Sequence, residues 1–250
     1  GVLSITIEDL QANYNINALS QGGSGNAAPG NLASSFELLL NALDLGSDAD
    51  IKVIAESVLD WLDKDLMPTG VGGVEDDFYL LRETPYRTGN TLLQDITELR
   101  LIKGIDNNTY SALEPFVSVL PVDAKINLNT APVAVIRTLA ANISVDDAQE
   151  VVSLREDSPL DVLPEVLADK GVSGNQVVFR SQYFRITTQA IINERRSYLQ
   201  SILFLPIAAA SNQEGNAVNN NLKPRVLSRN QSYRYIANAN TSIDTDTTSQ

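Results

Sequence analysis

Six acidic side chains gather around one break in the chain. Asp60, Asp63 and Asp65 lie before it, Glu75, Asp76 and Asp77 after it, and Pro68, Gly70, Gly72 and Gly73 between them. At neutral pH such a set repels itself unless the carboxylates splay into water or share a cation. Donors that offer only oxygen suit hard cations such as calcium or magnesium. The spacing is not that of an EF-hand. Counted from Asp63, the fifth and sixth positions hold Met67 and Pro68, and Val74 stands where the bidentate Glu belongs. A metal site here would have to be assembled from both arms of the bend, with the Pro and Gly residues exposing backbone carbonyls as further oxygens. On composition alone a solvated acidic loop is preferred over a metal site. A catalytic pair of carboxylates is the least favoured reading, because no aromatic cluster accompanies the acids to hold a substrate.

The totals narrow the chemistry further. The chain has 250 residues with no His and no Cys. That removes Ser-His and Cys-His catalysis, zinc sites built on imidazole or thiolate, and dithiol chemistry. A net charge of −13 and a pI near 4.4 argue against a general nucleic-acid or anionic-membrane surface, which needs an excess of Lys and Arg. Residues 44–77 carry ten acids against Lys52 and Lys64, whereas residues 178–235 carry eight basic residues against Glu194 and Glu214. One region attracts cations; the other could meet an acidic partner. No apolar run reaches the ~18 residues that a membrane helix requires. The abrupt alternating start, GVLSITI with Leu3, Ile5 and Ile7 in one phase, reads as a strand and suggests a piece cut from a longer parent.

The elements that must position the bend follow from periodicity. Residues 1–30 read as a strand, an Asn-rich turn and the Gly/Ser linker SQGGSGNAAPGN. A helical block follows over 31–174. Phe36, Leu39, Leu40 and Leu43 share the face of a first helix, with Ser34 or Ser35 as its N-cap. Ile51, Ile54, Val58, Leu59 and Leu62 share the face of a second, from about Asp50 to Asp63. Asp60 and Asp63 sit at the C-terminal end of this helix, where the dipole disfavours acids and compensation is required. Trp61 belongs to the core. Asp95 and Glu98 have capping-box spacing, as do Ser144 and Asp147; Thr130 and Ser158-Pro159 are read as further helix starts, and Gly104 and Gly171 as helix stops. From 175 to 237 the pattern returns to strands (VVFRSQYFRITTQAII, YLQSILFLPI, PRVLSRNQSYRYI), interrupted by the loop SNQEGNAVNNNL, and 238–250 is a polar tail. Strands at both ends with helices between suggest an α+β chain in which a sheet domain carries a helical insertion.

Two stretches, ELRLIKGI and KINLNTAPVAVIRTLAANISVDDAQEVVSLRED, look like the helix-hairpin-helix of DNA-binding modules. The acids of the second copy and the overall charge favour packing units over a nucleic-acid module, which stays as the alternative function.

Taken together, NYNINAL, VLDWLDKD, GGVEDDFY, YRTGN, TELRLIKGI, VSVLPVDAKINLNTAPVAVI and SQYFRITTQA resemble, in order, the K-type minor pseudopilin of the type II (general) secretion pathway. The resemblance implies an α+β fold, a pseudopilin α/β domain carrying a large all-α insertion and lacking here its N-terminal anchor helix. It implies a non-enzymatic structural subunit at the tip of the type II secretion pseudopilus that supports protein export across the outer membrane. Its partners would be the I-type and J-type minor pseudopilins in a heterotrimeric tip complex, with the H-type pseudopilin a further candidate and no nucleic acid. The protein would be held in the bacterial inner membrane by a single N-terminal anchor, with this domain in the periplasm. The resemblance also implies calcium in the helical domain. Carried over onto this sequence, the candidate ligands are Asp60, Asp63, Asp65, Glu75, Asp76 and Asn90, with a carbonyl at Thr69, and no choice of inner ligands among them.

Overall fold

The computed structural model of the chain describes residues 1–21, 31–192, 195–206 and 223–232. Helices and strands both contribute, in two units. Gly1–Glu8 with Phe184–Gln250 form one, and Asp9–Tyr183 the other. This division falls at 8/9 and 183/184, whereas the sequence pattern suggests changes at 30/31 and 174/175. The difference has a local cause. The Asn-rich segment after the first strand is tied into the helices: Asn17 Nδ2 donates to the carbonyls of Leu93 (3.0 Å) and Leu120 (3.2 Å), and its Oδ1 accepts from the Leu93 N–H (2.9 Å). Asn15 likewise accepts from the Leu120 N–H and donates to the Pro121 carbonyl.

In the larger unit, helices α1 (Asn31–Ala42) and α2 (Asp48–Leu62) pack together and bury Phe36, Leu39, Leu40, Ile51, Ile54, Val58, Trp61 and Leu62. Trp61 apart, these are positions the helical periodicity selects, while Leu43 and Leu59, also selected, are only half-buried. Ser34 and Ser35 do not cap α1. They lie inside it, and Ser35 Oγ instead meets the Tyr14 hydroxyl at 2.6 Å. A capping box of Ser47 with Asp50, not anticipated from the sequence, starts α2. After the bend come α3 (Asp76–Leu80), a 3-10 turn (Ile96–Leu101) opened by the Asp95/Glu98 box, and α4 (Asn107–Leu113). Then follow α5 (Val133–Ile136), α6 (Val145–Asp157) opened by the Ser144/Asp147 box, and α7 (Glu165–Ala168).

Two expected helix starts move. Thr130 does not cap α5; its hydroxyl donates to Asp9 Oδ2 (2.5 Å) and Pro132 holds the N-cap position. Ser158 ends α6 instead of opening a helix, and α7 begins only after Pro164. Proline is tolerated at a helix start because its fixed φ suits the entry and its missing N–H would have had no intrahelical acceptor there. Two short parallel pairs close this unit, Tyr14–Asn15 with Val117–Ser118 and Ile126–Asn127 with Val177–Val178.

The smaller unit is a four-stranded sheet. Numbering its strands in chain order as β1 (Val2–Asp9), β2 (Tyr183–Ile192), β3 (Arg195–Phe204) and β4 (Arg225–Ser232), the sheet order is β1-β2-β3-β4. Strands β3 and β4 run antiparallel from Tyr198↔Ser232 to Phe204↔Arg225, with an irregularity between Ile202 and Leu203. The alternation of Leu3, Ile5 and Ile7 does give a strand, yet all three stay exposed. Linker residues 22–30, the loop SNQEGNAVNNNL and the tail 238–250 lie outside the described residues.

Candidate metal centre

Helix α2 carries the site because its last turns face the glycine bend. Asp60 is fully buried, and its Oδ1 accepts from the Thr69 N–H at 2.9 Å. The Thr69 carbonyl in turn accepts from the Gly73 N–H at 3.1 Å, which closes a tight turn. Only glycine fits at 73, since a Cβ there would collide with Asp60 Oδ2 and the Thr69 carbonyl. Asp63 is the C-cap residue of α2 in extended conformation, which turns its side chain out of the helix and toward the second arm. Asp65 Oδ1 accepts from the Met67 N–H (2.8 Å).

On the second arm, Glu75 precedes α3 and makes no cap with its side chain. One carboxylate oxygen each of Asp63, Asp65 and Glu75 lies within 4.8 Å of the others. Oxygens held 2.3–2.6 Å from one calcium ion stand at separations no greater than about 5 Å, so this spacing fits. Three like charges this close, partly buried, are otherwise unfavourable. Burial first, and then the charges of Asp65 and Asp60, push the Asp63 carboxyl up to about 6. Burial, with Asp60 and Asp63, pushes Glu75 up to about 7 against a lowering hydrogen bond from Thr88. Burial also raises Asp60, opposed by its bonds from Thr69.

The hydrogen-bond inventory supplies the stronger sign. Asp60 Oδ2, Asp63 Oδ1, Glu75 Oε1 and Asn90 Oδ1 are all buried acceptors without a donor. Buried polar atoms nearly always find a partner. Here four carbonyl or carboxylate oxygens from the candidate set lack one, while the other unpartnered atoms among the described residues (Trp61 Nε1, Ser118 Oγ, Arg137 Nε) are not carboxylates or carbonyls. Asn90 is one of two non-glycine residues described with positive φ, at 43°, a conformation Asn tolerates. The donor set therefore fits a hard cation, and Asp60, Asp63, Asp65, Glu75 and Asn90 are the side chains that could hold it.

The two remaining candidates are placed differently. Asp76 is engaged: its Oδ1 accepts from the Thr88 N–H (3.0 Å) and hydroxyl (2.9 Å), and its Oδ2 pairs with Arg87 at 2.6 Å. Those bonds hold its carboxyl below the usual range and pin residues 87 and 88, just ahead of Asn90. The Thr69 carbonyl already accepts the Gly73 bond and retains one lone pair. Trp61 is buried between Tyr79 and Tyr86, edge to face with both, and serves the core as expected. The LIKGI turn keeps its cations occupied: Arg100 stacks 4.0 Å from the Tyr110 ring centre, and Lys103 Nζ donates to the Gly72 carbonyl at 3.1 Å.

Profiles of the family described as Type II secretion system (T2SS), protein K match residues 12–122 and 126–186. The chain belongs to the type II secretion system protein K family. The Type II secretion system protein K of Pseudomonas aeruginosa is 33% identical over 210 residues, covering 81% of this chain and 61% of the relative. That of Pectobacterium carotovorum is 40% identical over 134 residues, covering 52% of this chain and 40% of the relative. The chain thus spans about three fifths or less of these protein K relatives. A chain in the crystal structure of the GspK–GspI–GspJ complex from the enterotoxigenic Escherichia coli type 2 secretion system superposes with a TM-score of 0.68 at 23% identity. The superposition covers 92% of this chain and 79% of that one, so the α+β fold is shared.

Sequence reasoning missed three residues that build this site. Glu56 and Ser57, on the face of α2 that turns toward the bend, and Lys103 all converge on Gly72. The signal was present in Glu56 and Asp60, four apart on one helical face; nothing local pointed to Lys103.

Proposed function

We propose that this protein K family chain is a non-enzymatic minor pseudopilin. In this reading it assembles with I-type and J-type minor pseudopilins, and next to the H-type pseudopilin, at the tip of the type II secretion pseudopilus to support protein export. An N-terminal anchor belonging to the longer protein holds it in the inner membrane and presents this domain to the periplasm. Its helical unit binds calcium through Asp63, Asp65 and Glu75, with Asp60 and Asn90 completing the oxygen set. The observation that carries the calcium reading is the group of four buried, donorless oxygens around three carboxylates within 4.8 Å of one another. The assembly reading is supported by family membership and by the fold shared with a chain from a GspK–GspI–GspJ complex.

Bound calcium would neutralise the repulsion at the end of α2 and tie the two arms of the bend together, so its contribution is shape. Two experiments test the reading separately. Calcium titrated into chelator-treated protein should change Trp61 fluorescence saturably, since the ring adjoins Asp60 in the chain; no change in fluorescence or melting would refute the metal. Mixed with its I-type and J-type partners, the protein should co-elute as one complex, and separate elution at high concentration would refute the assembly.

A further inference from the structure

The peptide at Gly72 is gripped at both ends by residues outside the candidate ligand set. Its N–H donates to Glu56 Oε2 at 2.6 Å, and its carbonyl accepts from Lys103 Nζ at 3.1 Å and from Ser57 Oγ at 3.4 Å. Glu56 and Ser57 are buried on α2, and Lys103 leaves the LIKGI turn. The packing leaves no slack: a Cβ on Gly72 would meet Val53 Cα at 2.7 Å and Glu56 Oε2 at 2.9 Å. Gly72 lies between the arm that ends in Asp65 and the arm that starts at Glu75. Fixing it sets how closely those carboxylates can approach.

We infer that Glu56 and Lys103 are positioning residues for the cation: by holding the Gly72 peptide they preset the distance between the two ligand arms without touching the ion. This rests on the calcium reading above. It also gives the LIKGI turn a use the sequence did not reveal. Besides placing Lys103 Nζ on the Gly72 carbonyl, the turn directs the Lys103 backbone N–H to the Tyr79 hydroxyl at 3.2 Å, while Gly104 packs against Ile54 of α2. The turn therefore joins both sides of the bend, and the two charge-assisted bonds to the Gly72 backbone are of the stronger kind.

Calcium affinity, measured by titration calorimetry with calcium chloride on the full 250-residue chain, tests this. Residues that orient ligands typically change metal affinity by roughly 10–100-fold when removed. Glu56→Ala should weaken calcium binding at least about tenfold, by that same scale. Glu56→Gln keeps an acceptor for the Gly72 N–H and should stay within about threefold of the parent. Lys103→Met should weaken binding about tenfold by loss of its bond to Gly72. A Glu56→Ala protein with parental affinity overturns the inference. Glu56→Gln as weak as Glu56→Ala also overturns it, because the carboxylate would then be facing the ion itself. Should Glu56→Ala fail to give the parental far-UV spectrum, Lys103→Met decides, and parental affinity there overturns the inference. A parent chain that binds no calcium defeats the metal reading first and is told apart by that result alone.

Discussion

Metal-free protein should grow less stable as the pH rises above 5.5, a range in which ordinary carboxylates are already ionised and would leave stability flat. The cause is the pair Asp63 and Glu75, raised from ordinary values of 3.8 and 4.5 to about 6 and about 7. A raised carboxylate binds its proton more tightly in the folded state than in the unfolded chain. Its stabilisation is complete below the ordinary value and is lost as pH rises through the folded value. The window is therefore about pH 4 to 7, and the assay reads the part of it above pH 5.5, where ordinary carboxylates no longer titrate. Each pKa unit corresponds to about 1.4 kcal/mol. Asp63 is partly solvated and the two groups share the same repulsion, which reduces the sum to on the order of 2 kcal/mol. For a chain of this size that is roughly 4–8 °C in Tm. The assay is thermal melting in chelator followed by Trp61 fluorescence, which reports the helical unit because this is the chain's one Trp. Calcium at 100 times its Kd should add about 2.7 kcal/mol at pH 8 and abolish the trend. A chelated protein whose Tm is flat or rising between pH 5.5 and 8, and unmoved by calcium, would refute the reasoning.

Other substitutions probe the frame around the site. Leu99→Ala removes a fully buried side chain from the core and should cost about 2–5 kcal/mol in urea unfolding. Asn17→Ala strands the Leu93 N–H and two carbonyls and should cost at least about 1–3 kcal/mol by the same measurement. Ser144→Ala, which breaks the capping box of α6, should cost about 1 kcal/mol. The Asp147 carboxyl of that box, held down to about 2 chiefly by Lys170 and Ser144, should add stability above its ordinary value of 3.8 that is lost as pH falls through about 2.

What could be read in the sequence was local. Capping boxes at Asp95/Glu98 and Ser144/Asp147 hold because residues three apart decide them, and the apolar faces of α1 and α2 follow the helical period. Thr130 and Ser158 misled because their hydroxyls satisfy a helix start equally well on paper. Thr130 is claimed by Asp9, which lies far away in the chain, and Ser158 by the end of the preceding helix. The acidic bend shows the same limit. Composition supplied its oxygens, but only the fold shows Asp76 spent on Arg87 and Thr88 while Asp60, Asp63, Glu75 and Asn90 each keep a buried oxygen without a donor. Glu56 and Lys103 were invisible because their common target is a backbone peptide, which carries no signature of its own.

Asp9 joins the two ends of the helical unit. Its Oδ2 accepts from Ser181 Oγ at 2.6 Å and from Thr130, and two residues on Gln11 Oε1 accepts from the Gln182 N–H at 2.6 Å. The helical unit thus begins and ends at one knot. Closing a loop whose ends are already joined adds little entropy cost however long the loop grows, and neighbouring termini are what tolerate insertion and rearrangement. Residues 9–183 should accordingly fold when expressed without their host strands, and should accept new ends cut elsewhere once 9 and 183 are linked.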